Sequence, residues 1–228
     1  MNAPEPRTRN LAGLSLIGAP LLLLLSALAG PHLSDDGPTH LSQIAGHESG
    51  FVASRYLLLI GIWVLVPGLI GLWSLFRDAS ARLGQVGAGL VLIGWISSIA
   101  FFGLGAYEYE AAQPGLDRGL MGRLVENVNE SAMMIPFIVV TFVVGIAIGS
   151  LIVAWTLWRR RLASPWVAAA LVVWTLLDIA ADSVALSAVA FAFLLAGFGS
   201  VGLKLLSMSD HDYRLSVSAD RRANQGAG

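Results

Sequence analysis

Two aspartates four residues apart, Asp178 and Asp182, interrupt an apolar run that extends from residue 162 to residue 203. Ionisable groups inside a membrane segment are expensive and by default mark a functional site. On one continuous helix the pair would share a face. Their local contexts differ. Asp182 is followed by Ser183 and Val184, the order of a helix start in which a side-chain oxygen accepts from the first backbone N–H groups. Asp178, three residues inside the span end at Ala181, lies about 5 Å below that end at 1.5 Å per residue and has no capping role. Trp174, four residues earlier, falls on its face.

Other polar side chains reach the same depth from other segments. Glu108 and Glu110, with Tyr107 and Tyr109, close the third apolar segment, and Glu126, Asn127, Asn129, Glu130 and Ser131 precede the fourth. Arg55 precedes the second. The candidate site is therefore Asp178 and Glu130 as acid-base groups, with Arg55, Glu108, Glu110, Asn127 and Trp174 as binding groups. The competing account is interfacial, because tyrosines populate the aromatic belt of a membrane and charged residues flank helix ends.

The remaining motifs point away from cofactors. His32, His40, His47, Glu48, Asp35 and Asp36 share one loop but match no metal-ligand spacing, and they read as solvated residues. No histidine falls inside an apolar segment, which argues against bis-histidine haem ligation. Gly197-Phe-Gly-Ser-Val-Gly202 has the glycine spacing of a dinucleotide loop, but that loop must follow a strand; here the glycines permit close helix approach. Gly145 and Gly149 form a G-x-x-x-G pair that serves either packing within the bundle or a homo-oligomer. Lys204, at a helix end beside Ser207, reads as a snorkelling lysine. No cofactor and no metal are expected.

These groups must be positioned by apolar helices. The 228-residue chain is 56% hydrophobic and 13% charged, with a mean hydropathy of +0.72, whereas a soluble domain carries about 25% charged residues. A span needs about 20 apolar residues, and six candidates occur at 11–29, 56–76, 83–106, 133–158, 165–181 and 183–206. The fold class expected is all-α, an integral membrane bundle of six transmembrane helices over residues 1–208, followed by a polar, disordered tail over 209–228. Pro20, Pro67 and Pro136 are expected to kink their spans.

Charge sets the orientation. With the N-terminus inside, eleven Lys and Arg residues fall on that face and three on the other, which makes both termini cytoplasmic. A net charge of −1 and the absence of a basic patch give no nucleic-acid footprint. The absence of cysteine removes disulfides and thiol chemistry. Residues 27–29 offer a signal-peptidase-like site, but an uncleaved first span closes the topology and is the preferred reading. Two loops carry short helices. One covers 39–46 with Leu41, Ile44 and Ala45 on one face. The other covers 116–131 and is amphipathic, with Leu116, Leu120, Leu124 and Val128 beside Met121 and Val125.

The run Ile44-Ala-Gly-His-Glu-Ser-Gly-Phe51, then Leu65-Val-Pro-Gly-Leu-Ile-Gly71, then Arg77 to Arg82 and a glycine-rich third span resembles a group of uncharacterised polytopic membrane proteins common in high-GC bacteria. The resemblance covers about residues 10–105, and thirteen arginines to one lysine suit such a source. It implies a multi-span protein and no particular activity; the localisation expected is the inner membrane.

Two functions fit. The first is a non-enzymatic accessory component or small carrier with a polar outer-face pocket, in contact with membrane lipid and with a membrane-protein partner or a second copy. The second is an intramembrane acid-base enzyme acting on a lipid or isoprenoid, in which Asp178 or Glu130 supplies the proton. Its aromatic walls would come from Trp63, Trp95, Trp174, Tyr107 and Phe137.

Overall fold

The structure is a computed structural model that describes residues 6–79, 81–181 and 183–207. The helix-capping role expected of Asp182 and the character expected of the tail lie outside the described residues. Among those described, regular structure is entirely helical: α1 Pro6–Ala29, α2 Gly37–Gly46, α3 Glu48–Asp78, α4 Arg82–Ser97, α5 Ala100–Ala111, α6 Arg118–Asn129, α7 Met134–Ile138, a π-helical segment Val139–Ile148, α8 Gly149–Arg159, α9 Pro165–Ile179 and α10 Val184–Ser207.

Among the described residues five stretches of helix are long and apolar enough to cross a membrane: Arg7–Ala29, Glu48–Arg77, Arg82–Ala111, Met134–Arg159 and Val184–Ser207. The fifth expected span falls short of that length. It ends at Ile179 rather than Ala181, and its 15 residues rise about 22 Å, against about 30 Å of hydrocarbon.

The helices pack in a ring, α1 on α3, α3 on α4, α4 on α8, α8 on α9, α9 on α10 and α10 back on α1. Leu16, Ala19 and Leu23 of α1 and Leu65, Leu69, Leu72 and Phe76 of α3 are fully buried. They recur at three- and four-residue steps, so each helix turns one stripe inward. Exposed apolar side chains such as Leu14, Trp63, Ile93 and Leu203 cover the outside, as a lipid-facing surface requires.

Helix contacts are set by small residues. A Cβ on Gly13 of α1 would stand 2.9 Å from the Gly202 carbonyl of α10, and one on Gly202 would stand 2.5 Å from the Gly13 carbonyl. Gly197, from the same glycine motif, lies against Leu171 of α9. A Cβ on Gly145 would meet Gly94 Cα at 2.7 Å, and one on Gly149 would meet the Val91 backbone nitrogen at 2.9 Å. Gly145 and Gly149 thus pack against α4 of the same chain.

Three local features differ from the continuous spans expected. The third breaks at Ser98 and Ile99, where the Ser98 hydroxyl donates to the Gly94 carbonyl at 2.9 Å. The fourth contains ten π-helical residues. Pro136 occupies the first turn of α7, where its missing N–H removes no helical hydrogen bond.

The glycine contacts predict a graded response. Gly202→Val forces a side chain into the Gly13 backbone and is expected to destabilise the protein by about 1–3 kcal/mol. Gly103→Ala, at a position with open space around it, is expected to leave stability unchanged or raise it by less than about 1 kcal/mol. Thermal unfolding of the detergent-purified protein distinguishes the two. Equal melting temperatures for both variants would remove the packing argument.

Candidate functional site

The end of the bundle bearing α2 and α6 is closed by a small cap. Leu41 and Ile44 of α2 pack with Phe51, Ala111, Ala112 and Val125 in a second core, separate from that of the bundle. Gly37 and Gly122 bring the two cap helices into backbone contact. Each cap helix is started by a carboxylate. Asp36 accepts from Thr39 N at 3.0 Å, and Asp117 accepts from Gly119 N and Leu120 N at 2.9 and 3.1 Å. Glu126 of α6 accepts from Gly37 N at 2.6 Å, which satisfies a further free N–H of the first turn of α2. Met121 and Val125 turn inward, whereas Leu116, Leu120 and Leu124 are exposed. Ala45, expected on the inner face of α2, is exposed as well.

Beneath the cap lies a charged trio. Glu108, in the last turn of α5, is 4% exposed. Arg55 of α3 donates to it through Nη2 at 3.2 Å, and His40 of α2 places Nε2 3.7 Å from its other oxygen. The second distance is an ion-pair separation, too long for a hydrogen bond. The Arg55 guanidinium also lies over the Phe51 ring, 4.8 Å from its centroid. Gly105, one turn before Glu108, makes room for it, since a Cβ there would stand 2.8 Å from Arg55 Nε. On the far side of the ring His40 Nδ1 lies 3.1 Å from the Ser34 carbonyl. The Glu108 carboxylate is the largest influence on His40 and holds its pKa above the ordinary value; burial and the Arg55 charge oppose it.

One recess adjoins this trio at Arg55, and a second adjoins the first. The larger, about 820 Å³, is walled by polar groups of α1, α2, α3 and the intervening loop, among them Ser26, Ser34, Gln43, Ser54 and Arg55. Ser26 anchors its floor by donating to the Ser54 carbonyl at 2.9 Å. The smaller, about 300 Å³, is walled by Phe142, Val143, Ile146 and Ala147 of the π segment and by Trp174, Thr175 and Asp178 of α9. Ala181 and Ser187 line both. Beside them Ser183 Oγ accepts from Leu186 N at 3.3 Å, so the serine takes a capping role at the start of α10.

The structure therefore divides the candidate residues. Arg55 and Glu108 form an ion pair, and Trp174 and Asp178 share the smaller recess. Glu110, Asn127 and Glu130 are exposed and line neither recess. Of the expected aromatic walls only Trp174 lines the Asp178 recess; Trp63 is exposed, Trp95 is buried in the bundle core, and Phe137 stacks on Phe101. His40, expected in solvent, is a partner of Glu108. The other loop groups disperse, His47 towards the Gln43 carbonyl and Glu48 into a hydrogen bond from the Tyr109 hydroxyl. Among the described residues no three of His, Asp and Glu form a metal-binding group. No protein-family model, curated protein or solved structure matches the chain.

The His40 contact gives stability a sign with pH. A pKa raised by folding contributes stability that is fully present below the unfolded value of about 6.5 and is lost as pH rises through the folded value. The stability difference between wild type and His40→Gln is expected to be about 0.5–1 kcal/mol under acidic conditions and to shrink under alkaline ones. Thermal unfolding of both proteins across that range measures it; a difference independent of pH would show that His40 is held by packing alone.

Proposed function

We propose that the protein is a six-span component of a bacterial inner membrane with both termini cytoplasmic, and that it holds a ligand without transforming it, as an accessory protein or small carrier. The observation that carries this reading is the polar recess of about 820 Å³ beside α2, a volume within the range of small-molecule sites, about 300–1,000 Å³. Arg55 on its wall is engaged by Glu108, which also faces His40, while His32 and Asp35 of the loop line it as further polar groups. The second acid of the enzymatic alternative, Glu130, is exposed and away from both recesses.

The basic residues near the helix termini support the orientation. Arg77, Arg82, Arg159 and Lys204 all belong to the end opposite the cap, and this is the bias that cytoplasmic loops carry. Support for α9 as the short fifth span of the six comes from its position between α8 and α10. Lys204 Nζ donates to the Leu162 carbonyl at 2.6 Å, which joins the start of α9 to the end of α10. Trp158 and Trp166 are exposed at that end, and Tyr56 and Tyr107 at the other, a spacing that suits two interfacial aromatic belts.

The absence of cysteine makes topology directly measurable. In intact cells a membrane-impermeant maleimide is expected to label Ser42→Cys and Ala180→Cys, and to reach Ser164→Cys only after permeabilisation. Ala180→Cys protected from outside would reduce the number of spans to five. For function, the lipids that co-purify with the protein in nanodiscs are expected to be chemically unchanged after prolonged incubation. Conversion that is lost in Asp178→Asn would put the enzyme reading in its place.

A further inference from the structure

Asp178 is the acid that the charged trio leaves out. Among the described residues it has no hydrogen-bond or ion-pair partner, and Arg55 is committed to Glu108 on the other side of Ala181 and Ser187. A second group in the same recess is equally unmatched. Trp174 is 1% exposed, and its indole Nε1 has no hydrogen-bond partner. Thr175 nearby is satisfied, donating to the Leu171 carbonyl at 2.9 Å. A buried donor without an acceptor costs about 1–3 kcal/mol, and this one belongs to a residue that walls the same 300 Å³ recess as Asp178, so the two define the polar end of whatever fills it.

We propose that this recess holds the hydroxyl end of a membrane-soluble alcohol, with the oxygen accepting from Trp174 Nε1 and the hydroxyl hydrogen donated to Asp178. This rests on the ligand-holding reading and specifies its ligand. The alternatives each leave a group unmet. A phosphate or carboxylate would face Asp178 with no cation on the recess wall. An ammonium would pair with Asp178 and leave the indole N–H without an acceptor. A hydrocarbon would satisfy neither. A hydroxyl both donates and accepts, and it does so with a carboxyl in either protonation state.

Shape and access agree with the chemistry. About 300 Å³ amounts to about ten water volumes, space for an apolar body of about ten heavy atoms. Apart from Asp178, Thr175 and Ser187, the described wall is apolar. Two of its residues, Val143 and Ile179, are 44% and 68% exposed on the side of the bundle, so the recess opens laterally, towards the region that lipid would occupy, as well as towards the polar recess at Ser187. The wide turns of the π segment form the wall opposite α9, in keeping with the frequent placement of π-helical turns at functional sites.

The test is photolabelling of the full-length protein in nanodiscs with a diazirine derivative of geraniol, an alcohol of about the required size, followed by peptide mapping. Labelling is expected in the segment from Trp174 to Ser187 and in the π segment, and excess geraniol is expected to compete it away. Myrcene, which lacks the hydroxyl, should compete at least tenfold less well, because a site that hydrogen-bonds a hydroxyl rejects the analogue without one. Asp178→Asn and Trp174→Phe should each reduce labelling about tenfold. Trp174→Phe keeps the ring volume, so it remains informative if Asp178→Asn folds poorly. Equal competition by myrcene, stronger competition by geranylamine, or labelling unchanged in Trp174→Phe would overturn the proposal. None of those results would touch the larger recess, whose ligand-holding role is judged by the unchanged co-purified lipids.

Discussion

A carboxylate taken out of water costs several kcal/mol unless it is paired, and the capped end of this molecule is arranged around the one at Glu108. Three segments meet there because each supplies a part: α5 the acid, α3 the Arg55 guanidinium and α2 the His40 ring. The geometry reaches back into the surrounding sequence. Gly105 leaves room for the arginine, Phe51 gives it an aromatic floor, and Ser34 fixes the opposite edge of the histidine. If α2 were displaced, Glu108 would lose one of its two partners and the second core over Leu41 and Ile44 would open to water. The cap is therefore coupled to the bundle by charge as well as by apolar contact.

The bundle itself is held differently. Between helices surrounded by lipid, hiding an apolar side chain gains little, and association depends on close packing and interhelical hydrogen bonds. Gly13 against Gly202, Gly94 against Gly145, and the Ser26 hydroxyl on the Ser54 carbonyl are contacts of that kind. The cap instead uses devices of aqueous folding: Asp36 and Asp117 at helix starts, a buried cluster of side chains, and the Glu126 carboxylate on a free backbone N–H. The change from one mode to the other falls at the level of Arg55 and Glu108, the level at which the polar recess opens.

This contrast explains what the sequence disclosed. Hydropathy needs about 20 residues to define a span, so the long helices were legible to within a few residues, apart from the N-terminal extension of α3 to Glu48. Hydropathy carries no information on hydrogen-bond register, which is why the π segment from Val139 to Ile148 and the break at Ser98 were not. The glycines were recognisable as contact points, but a stripe of small residues does not name its partner, and Gly145 and Gly149 turned out to face α4. The candidate site was legible in depth and not in direction. Glu108, Glu110, Asn127 and Glu130 all cluster near helix ends, yet only Glu108 turns inward. His40 was misread because its partner is 68 positions away in the chain, and the sequence around it is that of any solvated loop.

The two recesses show why Asp178 requires a separate account. Arg55 and Asp178 stand on the walls of adjoining spaces, and pairing them would relieve the acid of its isolation. The arginine is instead held by Glu108, the more deeply buried carboxylate, which leaves Asp178 among Phe142, Ile146 and Trp174 with no counter-charge. An alanine or leucine at position 178 would continue α9 equally well and would avoid the desolvation of a carboxyl group. The side chain therefore adds nothing to folding that an apolar residue would not supply. Its presence beside an indole N–H that also lacks a partner is what the proposed hydroxyl ligand accounts for.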